Sequence, residues 1–139
     1  YVADVATDFG TLPPEVCSAG DMNQVFLNLL ANAAHAIADV VKDTGKKGKI
    51  RVSTSLEGTM VVIAISDTGS GIPESIRDRI FDPFFTTKEV GRGTGQGLAI
   101  ARSVVDHHQG SLTFETQVGK GACFYIRLPI ANPAAQELP

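Results

Sequence analysis

The sequence predicts an α+β domain, and three observations carry that expectation. Residues 21–42 space their apolar side chains with the period of a helix. Residues 50–56 with 59–66, and 112–116 with 122–128, are alternating or strongly apolar runs joined by glycine-containing turns, the pattern of antiparallel hairpins. A second helical segment, 98–108, lies between the two hairpins. With 139 residues the chain has the length of one domain with a substantial core. That domain is expected over 1–130, with 131–139 as a tail.

The elements follow in order. Residues 1–6 are a short strand-like run, and Leu12-Pro13-Pro14-Glu15-Val16 is extended or turned. Asp21 with Gln24 forms a candidate capping box for the long helix, and Gly45 is its stop signal. At about 100° per residue, Val25, Phe26, Leu29, Leu30, Ala33, Ile37 and Val40 make one apolar face. A polar stripe holds Gln24, Asn28, Asn32, His35 and Asp39. A polar stripe is ordinarily a solvated face, but this one carries two Asn and a His where Lys and Glu are expected. Asn is a mediocre helix former, and Asn28 and Asn32 project side by side at i and i+4. Neutral carbonyl oxygens so placed suit a hydrated Mg²⁺ that takes its other ligands from water and phosphate.

Met60 to Ile65 is a strongly apolar strand that delivers Asp67 at its carboxyl end, followed by Gly69, Gly71 and Pro73, where a short helix over 74–80 can begin. Ligands gather in crevices at such strand ends. A carboxylate there can accept a hydrogen bond from a ligand amine, or it can cap the next helix; the residue alone fits both. From Asp82 to Gln96 no periodicity is visible. A loop of about 15 residues in a compact domain is usually functional or disordered. This one holds glycines at 91, 93, 95 and 97 together with Lys88 and Arg92, and a helix starts directly after it. Alternate glycines free backbone N–H groups to face an anion, and the helix amino terminus adds positive partial charge. The loop is expected to be poorly ordered without ligand, since few apolar groups anchor its second half. On the following helix, Leu98, Ala101, Val104 and Val105 face the core, with His108 on the same side and His107 on the surface. In the last strand Ala122, Phe124, Ile126 and Leu128 share a face.

Composition narrows the function. A net charge of −3, without interleaved aromatic and basic residues, points away from nucleic acid. No apolar run is read as approaching the roughly 20 residues of a membrane span, and no signal peptide is visible. Cys17 and Cys123 lack metal-ligand spacing and read as free thiols in a reducing compartment. The opening Tyr1 reads as a piece of a longer protein.

Generic phosphate motifs are absent: there is no GxxxxGK[ST], and no GxGxxG after a strand. Four segments in order, however, resemble the ATP-binding catalytic domain of sensor histidine kinases, within the wider ATPase family that includes gyrase, Hsp90 and MutL. Gln24 to Ala33 is similar to the family's N box and Asp67-Thr68-Gly69-Ser70-Gly71 to its first glycine box. Phe81-Asp82-Pro83-Phe84-Phe85 is similar to the F box, and Gly93 to Ala99 to the second glycine box. The wording looks most like the nitrogen-regulation type of kinase.

The resemblance implies a two-layer α/β sandwich, a mixed five-stranded sheet with three helices on one face, the Bergerat-type ATPase fold. It implies ATP as substrate and Mg²⁺ as cofactor. Asp67 would meet the adenine amino group, with Gly69, Gly71 and Ile72 shaping the adenine pocket. Asn28 and Asn32 would meet Mg²⁺ and the phosphates, either one as direct ligand, and His35 stands where relatives often place a phosphate-binding Lys. Phe84, Thr87, Lys88 and Arg92 would contribute nucleotide contacts around the lid, and Gly93, Thr94, Gly95, Gln96, Gly97 and Leu98 would wrap the phosphates. Three departures stand out: Gln96 replaces a usual Leu, His108-Gln109-Gly110 replaces a common His-Gly-Gly, and Ala122-Cys123 stands where relatives often carry Thr. The implied reaction passes the γ-phosphoryl group to a histidine on a separate helical dimerisation domain, with a response regulator acting next. None of His35, His107 and His108 has the acceptor pattern, so the chain is expected to contain no nucleophile. It is expected to be monomeric, on the cytoplasmic side, within a protein that is cytoplasmic or in the inner membrane. A gyrase-like conformational ATPase is the alternative, but those relatives carry a Glu near the position of Asn28, and Asn cannot serve as a comparable base. A non-binding scaffold is another, though a scaffold has no physical need for alternate glycines.

Overall fold

The computed structural model describes residues 3–9, 19–41, 47–83, 85 and 97–129, with the backbone alone over 3–9 and 19–21. The protein is an α+β fold. Strands β2 (Gly48–Glu57), β3 (Met60–Asp67), β4 (Ser111–Gln117) and β5 (Gly121–Pro129) form an antiparallel sheet in the order β2-β3-β5-β4. Strand β1 (Ala3–Phe9) adds to β2 in parallel and ends three residues beyond the expected run 1–6. Helix α1 (Ala19–Val41) packs on β2, β3 and β5, and helix α2 (Gly97–His107) packs on α1 and β4.

The core sits between the helices and one face of the sheet. Val61, Ile63 and Ile65 of β3 lie in register with Leu128, Ile126 and Phe124 of β5, and all six are buried. Strand alternation puts them on one face, where α1 presents Val25, Leu29, Ala33 and Ile37 at successive i+4 positions. The expected helix face is narrower than drawn: Phe26 and Leu30 are half-buried, Val40 is exposed, and Val41 packs on the core instead. By length and composition, Met22–Val41 is apolar enough to cross a membrane, although Asn28, Asn32 and His35 interrupt its apolar residues. In the structure its buried positions face the sheet.

Two element ends differ from expectation. Helix α1 already runs by Ala19, so Asp21 lies inside the first turn and cannot be the N-cap. Ala is the best helix former and lets the helix extend upstream. The segment after Pro73 is a 3₁₀ helix, Glu74–Arg79, with no buried residue and no side-chain cap, so nothing draws its six residues into an α-helix. Helix α2 ends in a Schellman motif: Gly110 N–H donates to Val105 O at 3.0 Å and Gln109 N–H to Asp106 O at 2.9 Å. Gln109 therefore sits at φ 63°.

Candidate functional site

Asp67 ends β3 between Ile50 of β2 and Ala122 of β5. It is 8% exposed and is the one charged side chain buried among the described residues. Its Oδ1 accepts a hydrogen bond from Gly69 N–H at 2.8 Å. Burial pushes its carboxyl pKa up, and the backbone amides of Gly69 and Ala122 pull it back in part. A carboxylate is thus held in a poorly solvated place with acceptor capacity to spare.

The loop after Asp67 is held on every side. Thr68 exchanges bonds with the backbone of Lys49, donating from its N–H at 3.1 Å and accepting on Oγ1 at 2.9 Å. Gly69 lies flat on α1: a Cβ there would stand 2.7 Å from the backbone and side chain of Ala36. Gly71 has φ 78°, and a Cβ would meet Gln117 O at 2.6 Å, so both conformation and space demand glycine. Ser70 O accepts from Gly119 N–H at 2.8 Å. Ile72 donates its N–H to Thr116 Oγ1 at 2.9 Å and accepts on its carbonyl from Arg77 Nε at 3.0 Å.

On α1 the middle of the polar stripe is not a solvated face. Asn28, Asn32 and His35 are half-buried, while Gln24 and Asp39 at its ends are exposed. Ala36, the seat of Gly69, is one turn beyond Asn32 and two beyond Asn28. Asn28 Nδ2 donates to Gly97 O at 3.1 Å, at the first residue of α2. A carbonyl can only accept, so this bond orients the amide and leaves its oxygen as the atom able to ligate. Leu98, next along α2, is half-buried against the core.

Of the predicted site residues, the structure joins Asn28 to Gly97 and seats Gly69, bonded to Asp67, on Ala36 of α1, while Gly71 and Ile72 are held against the β4–β5 hairpin and Asn32, His35 and Leu98 are half-buried on their helices. Phe84, Thr87, Lys88, Arg92, Gly93, Thr94, Gly95 and Gln96 lie outside the described residues, as do most of the expected lid and Cys17. The start of the F-box segment is anchored: Phe81 packs against Phe114 and Phe124, with the Arg102 guanidinium 4.8 Å from its ring centroid. Arg79 stands 4.9 Å over Phe85. Ala122 is the residue beside Asp67, while Cys123, a free thiol, is on the opposite face in register with Ser66. His107 is exposed, and His108, half-buried just past α2, bonds Val104 O through Nδ1 at 2.9 Å, a structural role. Among the described residues no cluster of His, Cys, Asp and Glu could hold a metal, so an ion at this edge would rest on the two carboxamides, water and ligand oxygens.

Sequence reasoning missed Thr116 and Arg77. Thr116 carried a signal: it occupies the inward position of β4 where Leu112 and Phe114 precede it. Arg77 carried none, because its bond to Ile72 depends on how the 3₁₀ helix turns.

A profile of the family described as histidine kinase-, DNA gyrase B-, and HSP90-like ATPase matches residues 18–132. Nitrogen regulation protein NtrY of Azorhizobium caulinodans is 36% identical over 129 residues, covering 90% of this chain and 16% of the relative. Among solved structures, the nucleotide-free catalytic domain of histidine kinase ThkA is 32% identical with TM-score 0.75, covering 94% of this chain and 82% of that one. Full-length ShkA in complex with AMPPNP is 28% identical with TM-score 0.77, covering 94% of this chain and 26% of that one. The chain spans 12–24% of the length of the first curated relatives it matches, which are named as sensor or sporulation kinases.

Proposed function

The chain belongs to the family of histidine kinase-, DNA gyrase B- and HSP90-like ATPases, and from that premise we propose that it is the ATP-binding catalytic domain of a sensor histidine kinase. The observation that carries the reading is the seat of Gly69 on Ala36. It sets the Asp67 carboxylate beside the same edge of α1 that bears Asn32 and Asn28. Ala36 and Asn28 are eight residues apart, roughly 12 Å along a helix axis. An extended nucleoside triphosphate fits that span, with adenine at Asp67 and phosphates at the two Asn.

Asp67 accepts from the adenine amine, and Gly69, Gly71 and Ile72 line the base. Asn28, its amide oriented by Gly97, and Asn32 one turn on would offer oxygens to Mg²⁺ and the phosphates, with His35 beside them. Residues 93–98 wrap the phosphates, and Lys88, Arg92 and Thr87 complete the lid contacts with Phe84. Mg²⁺, when bound, neutralises charge on the transferring phosphoryl group. Phosphoryl transfer asks the protein for positioning and charge neutralisation more than for a covalent partner. The chain holds ATP while a histidine nitrogen of a separate helical dimerisation domain attacks the γ-phosphorus. The P–N bond forms, the bond to the β-phosphate oxygen breaks, and ADP leaves. The helical domain is the direct partner, a response regulator the next acceptor, and the cytoplasmic side the place of the reaction; alone the chain is monomeric.

The test is ATP binding with wild type and Asp67→Asn. Asn has one acceptor oxygen where Asp has two, and with Gly69 N–H on that oxygen the adenine amine meets an NH₂ donor, so affinity is expected to fall about tenfold or more. Equal affinity rejects the adenine role. Labelled ATP mixed with this chain and a helical acceptor domain is expected to label that domain's histidine; label that appears only as free phosphate favours a conformational ATPase.

A further inference from the structure

We infer that Thr116 is a positioning residue for the base end of the site, a hydroxyl strut that holds the first glycine loop against the last hairpin. The inference rests on the reading of Asp67 as the adenine contact. Thr116 Oγ1 accepts from Ile72 N–H at 2.9 Å and donates to Gly121 O at 2.9 Å. One hydroxyl has one proton and can fill both roles at once. The bonds tie β4 to the loop on one side and to the first residue of β5 on the other.

Both tied points bear on Asp67. Gly121 presses on the Asp67 carbonyl so closely that it tolerates no Cβ, and Ala122, next in the chain, is the register partner of Asp67. Ile72 closes the loop whose other end, Gly69, donates to the Asp67 carboxylate. Arg77 Nε holds the Ile72 carbonyl from the far side at 3.0 Å. Ile72 is therefore held by side chains at both its N–H and its carbonyl, and Thr116 is the one that also reaches the Asp67 strand pair. Valine keeps the shape of threonine but neither bond. It leaves the Ile72 N–H and the Gly121 carbonyl half-buried and without this partner.

The experiment compares wild type, Thr116→Val and Thr116→Ser in three readouts. Hydrogen exchange without nucleotide reads the strut itself: the Ile72 amide is expected to lose protection in the valine variant and regain it in the serine variant. Titration with ATP and with ITP, which lacks the 6-amino group, reads its effect on the base. In the valine variant ATP affinity is expected to fall about tenfold and the ATP-over-ITP preference to shrink, with serine restoring both. The thermal midpoint separates this from general loosening. Unchanged Ile72 exchange overturns the strut. So does weaker binding of both nucleotides at a constant ratio, or a serine variant no better than valine. A wild type that shows the predicted exchange pattern but binds no ATP overturns the nucleotide reading, and with it the positioning role.

Discussion

Asp67 has two amide donors near it and still holds its proton more tightly than an exposed Asp, because burial outweighs those bonds. The sign of the stability effect follows. With the folded pKa above the unfolded one, the folded state binds more protons between the two values, and stability falls as pH rises through that window. The contribution of Asp67 is most favourable at acid pH, where both states are protonated, and is lost once the folded carboxyl ionises. Asp67→Asn removes the titration. In paired urea melts the stability of the variant relative to wild type is expected to rise from acid to neutral pH; a drift in the opposite direction would contradict the burial argument. A carboxylate kept at that cost in a buried strand end is what a ligand-binding role explains and a helix cap does not. The 3₁₀ helix that follows has no side-chain cap at all.

At the level of elements, α2 carries a local conflict. Its Schellman ending places Gln109 at φ 63°, the left-handed region that costs a side chain about 1 kcal/mol. The sequence comparison of His-Gln-Gly with the common His-Gly-Gly pointed at this site without saying why glycine belongs there. The hydrogen bonds of Gln109 and Gly110 supply the reason. Gln109→Gly is expected to raise stability by roughly 0.5–1 kcal/mol, read as a higher urea midpoint, and a lower midpoint would contradict the assignment. Both hairpins and the buried side of α1 were legible because each repeats over several residues with the period of its element. The beginning of α1 was not, because Asp21 and Gln24 satisfy a capping pattern that the chain passes through two residues into the helix. Nor was the 3₁₀ character of 74–79, since six residues without a buried face carry no periodic signal.

Across the whole molecule, the residue types of the site were readable and their distances were not. The carboxylate at a strand end, the spaced glycines and the paired Asn are the residue types that motivate the nucleotide reading. The contacts that join these segments seat Gly69 on Ala36 and put Gly97 within reach of Asn28. Those are tertiary contacts between segments 33 and 69 residues apart, and no local pattern encodes them. The most direct measurement is a crystal structure of this chain with AMPPNP and Mg²⁺. The expected result is one nucleotide along α1, its adenine amine on the Asp67 carboxylate and its metal on an Asn28 or Asn32 oxygen. Adenine bound away from Asp67, or Asp67 and the two Asn opening onto separate sites, would contradict it.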